Sequence, residues 1–459
     1  MANFDPSTLA TQLATAYTQQ TQSLLTAQNK TSQAKSTALS KLQSSLQGFD
    51  TAMKALTTGK NGLAQLSAGF ANTASGTAKA DSTALPGSYQ IFVEKLATSH
   101  QLAFKDVPAQ DVSAWPAGPL NMSVNLANGS NFVVNLANAD ADNDGSLSQI
   151  ELARAINQAS GNAGSVTAQV ITAGGQSQMS LSSGVSGEGG AISLDTSSIP
   201  AGALRSALED PAKKLQLTAA QDAVVWMGAQ GSGIQIKQGS NELTAIPGVS
   251  VTLKALSSGA PDVLTVTKDE SATTAKVKSF VDAYNALEKS LSELTAAGKD
   301  GAASAAFASD AGVRSLRSRL NNILRQDFGG LALRDLGISA DRNGQLSLDS
   351  TKLNKTLATK PDALDQVFGK SSLTSGSGVL GAFSVAVDQW TNSVSGQIAQ
   401  RKSSVQSQQK AIGERQTRLD NQYEQSYQRY LKQFTALQQV QAQMADTTSL
   451  FSSLSLPTS

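Results

Sequence analysis

The sequence predicts an α+β multidomain protein in which a helical coiled-coil leg, formed by both chain ends, carries two inserted β-rich head domains. Three observations lead there. Near both ends, apolar residues alternate at spacings of three and four, the signature of helices that pair. Between about Lys79 and Lys268 the texture changes to short alternating runs separated by Gly, Ser, Asn and Pro. At 459 residues, the chain is also longer than a single hydrophobic core usually organises.

The first helical segment is marked by Leu39, Leu42, Leu46, Phe49, Met53 and Leu56, and Gly59 and Gly62 interrupt it. At the other end Ile398, Val405, Ile412 and Leu419 recur every seven residues, but the alternate positions hold Arg401, Gln408 and Arg415, so this seam is half polar. The spacing slips by one at Tyr423, as a stutter does, and Tyr427, Tyr430, Phe434, Leu437 and Met444 resume it. The final helix is therefore expected to end near Met444. With so few aliphatic residues per turn, neither helix buries enough area alone to offset its ordering entropy. An antiparallel pair is expected, with residues 1–38 and 419–459 disordered until they meet neighbouring subunits. The alternative is an intramolecular hairpin with no assembly role. The leg then comprises 39–78 and 269–418.

Tyr89–Val93, Asn131–Leu136 and Val249–Leu253 read as strands, and Ala173-Gly174-Gly175-Gln176 and Gly187-Glu188-Gly189-Gly190 as turns. With an amphipathic helix from Leu147 to about Gln158, these place two small β-rich domains in 79–268. After Ser271 helix returns, with Val277, Phe280, Val281, Tyr284 and Leu287 on one face, then Val313, Leu316, Leu320 and Leu324 on another.

Composition narrows the function. Lys and Arg number 36 against 35 Asp and Glu, so no large field draws nucleic acid or anionic lipid. Without cysteine there is no disulfide, thiolate metal site or thiol nucleophile. The one histidine, His100, follows a strand with no acid–base partner in view, and no enzyme is expected. Gly228-Ala229-Gln230-Gly231-Ser232-Gly233 fits neither the dinucleotide fingerprint nor the phosphate loop. No run of about eighteen apolar residues marks a membrane span, and Met1–Gln20 lacks the basic and apolar regions of a secretory signal.

One segment carries a specific chemical signal. Asp140-Ala141-Asp142-Asn143-Asp144-Gly145-Ser146-Leu147-Ser148-Gln149-Ile150-Glu151 fits the twelve-position calcium loop at every ligand. Asp140, Asp142 and Asp144 would each supply a carboxylate oxygen, Ser146 its backbone carbonyl, Ser148 a hydroxyl or bridging water, and Glu151 a bidentate carboxylate. The metal-free account is an Asp-rich connection in which Ser146 and Gln149 form a capping box. Since Asn131–Leu136 alternates like a strand, no helix precedes the loop and a paired EF-hand is not expected. No cofactor is required; a structural calcium ion and the metal-free connection stand as equal readings of this segment.

Several blocks together resemble the flagellar hook-associated protein 2 family, the filament caps, over nearly the whole chain. Ala275–Leu287 is similar to that family's Phe-Val-x-x-Tyr-Asn-x-Leu helix. Asp310–Leu316, with Val313-Arg314, and Leu333–Asp349 resemble its leg signature, followed in order by Lys352-Leu353, Pro361–Leu364 and Val367-Phe368-Gly369. Gly87–Val93 with Leu96-Ala97, Ala155-Ile156-Asn157 and Gly239–Leu243 leading to Ile246–Val249 are weaker matches. Asn3-Phe4-Asp5 and Ser309 depart from the family pattern, and the calcium loop is not one of its usual features.

The resemblance implies a ring-shaped homo-oligomer, a pentamer, whose β domains form a plate, whose legs reach toward the filament end and whose terminal helices grip it. It implies flagellin, hook–filament junction proteins and a flagellar export chaperone as partners. The location implied is the extracellular tip of the flagellum, reached through the flagellar type III apparatus without a cleaved signal. Two other classes remain: a surface adhesin or host-binding protein working through its β-rich heads, and a cytosolic calcium-regulated module.

Overall fold

The computed structural model describes residues 5–57, 62–113, 115–116, 120–298, 303–369 and 377–454. Gly59 and the departing residues Asn3 and Phe4 lie outside them. The chain divides into two compact units: residues 1–63 with 270–459, and the inserted residues 64–269. The insertion thus begins fifteen residues before the boundary read at Lys79, because strand β1 (Leu66–Phe70) precedes that residue and β2 (Gly76–Ala80) straddles it.

The first unit is helical. Its described helices are α1 (Pro6–Thr57), α4 (Glu270–Thr295), α5 (Ala311–Arg325), α6 (Ser350–Thr359), α7 (Ala363–Phe368), α8 (Gly378–Thr391) and α9 (Gln397–Leu454), while α2 (Gln149–Gln158) and α3 (Ala203–Glu209) belong to the insertion. The helix expected from Leu39 begins at Pro6, and the one expected to stop near Met444 continues to Leu454. Neither helix breaks at residue 38 or 418. Phe49 of α1 packs edge-on against Tyr284 of α4 (6.1 Å) and Phe383 of α8 (5.3 Å), and Phe280 meets Phe368 at 5.1 Å and 87°. Such edge-to-face contacts add specificity to the area that these five buried rings contribute. Asp310 caps α5 by accepting from the N–H of Val313 at 2.9 Å, worth about 1 kcal/mol.

The second unit holds two hydrophobic cores. One lies between a five-stranded antiparallel sheet and a three-stranded one. The first has the order β1, β17 (Asp262–Lys268), β3 (Gly87–Lys95), β13 (Ala223–Met227), β14 (Ile234–Gln238); the second is β15 (Glu242–Leu243), β16 (Val249–Leu253), β2. Ile91 and Val93 on central β3, Val225, Val251 and Leu264 fill it. The other core joins a four-stranded sheet, β12 (Lys214–Thr218), β4 (Ser99–Lys105), β10 (Gln176–Ser186), β9 (Val166–Ala173), to a three-stranded one, β11 (Ile192–Asp195), β6 (Asn121–Leu126), β7 (Asn131–Asn135), with α2 and α3 packed on. Gly174 and Gly175, both at positive φ (61° and 80°), make the two-residue turn between β9 and β10, a backbone that residues with a Cβ adopt at a cost.

Strand β9 lies at a sheet edge, where free N–H and C=O groups invite pairing. Two asparagines blunt it. The amide of Asn157 exchanges bonds with the N–H and C=O of Ala168 (2.8 and 2.7 Å), and Asn162 does the same with Val166 (2.9 and 2.8 Å). Each side chain stands in for a neighbouring strand's peptide.

His100 ties the two sheets of this core together. It is 7 % exposed, and its Nδ1 accepts the N–H of Ile192 in β11 at 2.8 Å. Burial pushes its pKa below the ordinary 6.5, Gln216 bonding opposes that, and Lys214 adds to it. The fold needs the neutral ring. A base with a depressed folded pKa contributes stability that is complete above 6.5 and is lost as pH falls from there toward the folded value. Because the chain has one histidine, its imidazole resonance can be followed without assignment; the expected midpoint lies below 6.5, and a midpoint at or above it would contradict the buried acceptor role.

Candidate assembly helices and metal-binding loop

Helices α1 and α9 run antiparallel. The amides of Gln22 and Gln416 exchange hydrogen bonds (3.3 and 2.7 Å), and Lys402 Nζ donates to Gln43 Oε1 at 2.6 Å. On α9, Ile398, Val405, Ile412 and Leu419 are buried, one residue per heptad. On α1 the matching set is Thr18, Leu25, Ser32 and Leu39, again one every seven, and Leu25, Ile412 and Leu419 form a separate small cluster. An ordinary coiled coil buries two per heptad, so this seam is about half as thick.

Beyond Leu39 the residues of α1 crowd into the leg core: Leu42, Leu46, Phe49, Met53 and Leu56 are all buried. Ala10, Ala14, Thr18 and Ser32 are buried too, and apolar spacing alone could not find them, because Ala, Ser and Thr do not stand out from this Ala-, Ser- and Thr-rich sequence. Of the polar alternates on α9, Arg401 has a definite task. It donates to Asp310 Oδ2 at 2.7 Å and lies 5.1 Å over the Trp390 ring, which fastens the start of α9 to α5 and α8. Gln408 and Arg415 are exposed.

The predicted seam residues past Leu419 behave differently. Tyr427, Tyr430 and Phe434 are half-buried and Leu437 is exposed. Among the described residues after Leu419, Ser426 alone is buried, while Val440, Met444, Leu450 and Phe451 are 50 to 71 % exposed. Leu13, Tyr17 and Leu24 on α1 are exposed as well. Apolar surface thus gathers toward the ends of the chain.

The loop before α2 is fully formed. Short β8 (Ser146–Leu147) pairs with β5 (Gln110–Asp111), and Leu147 is buried in the core below. Asn143 and Gly145 take left-handed φ values of 58° and 81°, folding the three aspartates inward. One ligand oxygen from each of Asp140, Asp142 and Asp144 lies within 4.8 Å of the others. Asp140 Oδ2 accepts the N–H of Gly145 at 2.9 Å, while Oδ1 is buried without a partner. The capping box uses Ser148 and Glu151 in place of Ser146 and Gln149, because Ser148 has the extended backbone of an N-cap, whereas Ser146 is engaged in β8. Glu151 Oε1 accepts from the N–H of Ala141 (2.8 Å) and Oε2 from the N–H and hydroxyl of Ser148 (2.9 and 2.8 Å). The N–H of Ser148 is the main cause holding its pKa at about 2, so it carries a full charge. Asp142 accepts the N–H of Asp144, which pulls its pKa down; desolvation and the charges of Asp144 and Glu151 outweigh this and push it up.

Beside α2 and β9 lies a groove of about 790 Å³ in which, among the described residues, Arg154 is the one ionisable side chain. No described helix is long and apolar enough to cross a membrane.

Comparison with known proteins comes out consistently. A family model described as flagellar hook-associated protein 2 C-terminus matches residues 220–446, and one described as its N-terminus matches residues 2–100. The chain is 34 % identical over 380 residues to the lateral flagellar hook-associated protein 2 of Vibrio parahaemolyticus, covering 82 % of this chain and 83 % of that one. It is 31 % identical over 356 residues to the B-type flagellar hook-associated protein 2 of Pseudomonas aeruginosa, covering 74 % and 73 %. Its fold matches the crystal structure of the D1-D2-D3 domains of the flagellar cap protein FliD from Escherichia coli with a TM-score of 0.63 at 23 % identity, over 80 % of this chain and 99 % of that one.

Proposed function

The chain belongs to the flagellar hook-associated protein 2 family, and on that premise we propose that it assembles into a ring at the distal end of the flagellar filament and promotes the folding and polymerisation of flagellin there. As a member of a family of structural caps at the flagellum tip it has no catalytic role. The ring has five copies of the chain. Flagellin and the hook–filament junction proteins are its partners at the filament. An export chaperone accompanies it inside the cell, and it leaves unfolded through the flagellar type III apparatus with no signal cleaved.

The observation that carries this reading is the apolar surface on the last turns of α9, where Leu437, Val440, Met444 and Phe451 stand exposed. Large apolar side chains gathered on one exposed helix mark a docking surface. The half-thickness seam between α1 and α9 suits ends that settle into order only when neighbours in the ring and filament cover them.

A strain deleted for the gene tests it. Electron microscopy is expected to show hooks without filaments, with flagellin monomers in the medium, and expression from a plasmid is expected to restore filaments. Filaments of normal length on the deletion strain would sink the cap reading and favour the adhesin.

A further inference from the structure

The cap reading makes no use of the loop Asp140–Glu151, and we propose that it is a calcium site built into the inserted unit. The sequence offers an oxygen donor at every ligand position of the twelve-residue loop, including the bidentate Glu151 that larger, more flexible calcium accepts and magnesium does not favour. Two structural observations point separately to a cation at this place. Asp140 Oδ1 is shut off from solvent, has no hydrogen-bond donor, and sits in the cluster with the carboxylates of Asp142 and Asp144. Buried carboxylate oxygens are otherwise satisfied, because leaving one bare is costly. Among the described residues, moreover, none of the four carboxylates of the loop forms an ion pair, although Glu151 is 5 % exposed. Buried acids are usually accompanied by a cation.

The ion would sit where three parts of the unit meet. Its ligands span the end of the connection from β7, the β8 strand that pairs with β5, and the first turn of α2. The N–H groups of Ala141 and Ser148 hold Glu151. Binding exchanges part of that hold for the ion and fastens α2 to the loop. Calcium therefore acts as a structural staple, stabilising the folded state by an amount that grows with the logarithm of the free calcium concentration once that exceeds the dissociation constant.

The test uses the full chain, stripped with a chelator and titrated with calcium chloride to about 10 mM, a range that spans the affinities of extracellular calcium modules. Isothermal titration is expected to give a saturable heat for one ion per chain, and the melting temperature is expected to rise by several degrees. The double variant Asp140→Asn, Asp144→Asn keeps an acceptor for the N–H groups of Gly145 and Ser146 and is expected to lose both effects. Should that variant misfold, Asp142→Asn alone, at an exposed position, is expected to weaken binding about tenfold, the loss of one charged ligand. Absence of saturable heat and of any melting shift in the unaltered chain, or an unchanged shift in the variants, would overturn the site.

Discussion

A chain ending at Arg418 is expected to fold almost as the full protein does and to fail as a cap. The segment removed, Leu419–Ser459, contributes little to the core: within its described part Leu419 and Ser426 alone are buried. Losing Leu419 thins the cluster it forms with Leu25 and Ile412, a cost of about 2–5 kcal/mol for a well-packed leucine and less at a seam this open. The aromatic core around Phe49, Phe280, Tyr284 and Phe383 and both cores of the inserted unit are untouched. Melting of the truncated chain should therefore stay close to that of the full one, its helical circular dichroism reduced by the missing turns of α9, while cells expressing it shed flagellin instead of building filament. A finer version replaces Leu437, Val440 and Met444 by Ser. At exposed positions such changes stay within about 0.5 kcal/mol of neutral, so shortened filaments would assign these side chains to docking. Filaments of normal length from the truncated chain would place the grip elsewhere.

The parts of this molecule legible in the sequence are those whose physics is local. Helix spacing around Leu42–Leu56 and alternation around Tyr89–Val93 and Val249–Leu253 survive in the fold because each element buries its own apolar face. Strand β1, Leu66-Ser-Ala-Gly-Phe70, escaped notice because it has almost no β-forming residues; it is a strand because β17 pairs with it along its whole length. The early half of α1 escaped for a related reason. A seam of Thr18, Leu25, Ser32 and Leu39 has two polar members, and only α9 opposite makes it a buried line. The loop Asp140–Glu151 is readable as a motif, since its spacing is a matter of twelve consecutive residues. Its cap is not, because Ser146 and Ser148 are alike in sequence and differ only in that Ser146 is drawn into β8.

Replacing Arg317 by Met is expected to be among the most damaging single changes to the leg. Glu288 on α4 is 1 % exposed, and Arg317 on α5 reaches it through Nε at 2.6 Å and through a second close contact from its Nη2. That guanidinium also bonds the carbonyl of Asn343 at 3.3 Å, in the turn between β18 (Ile338–Ala340) and β19 (Leu346–Leu348), so one side chain joins α4, α5 and the turn. The site is already strained electrostatically. Burial raises the pKa of Glu288, Arg317 opposes that, and Asp341 adds to the rise, while Glu288 Oε2 has no donor. Breaking a buried pair by removing one partner costs about 3–5 kcal/mol, because the remaining charge is stranded.

The pH dependence carries the sign of the cause. A carboxyl whose folded pKa is raised loses stability as pH climbs from its unfolded value through the folded one. Without Arg317 the folded value rises further, so the variant's deficit should be largest at neutral pH and should shrink toward pH 4.5, where Glu288 can bind a proton in either protein. The double variant Glu288→Gln, Arg317→Met leaves no charge behind and should recover most of the loss. Melting temperatures of the three proteins across that pH range decide it. A deficit independent of pH, or a double variant no better than the single one, would mean that Arg317 matters for its packing and its bond to Asn343 and that the charge of Glu288 is incidental.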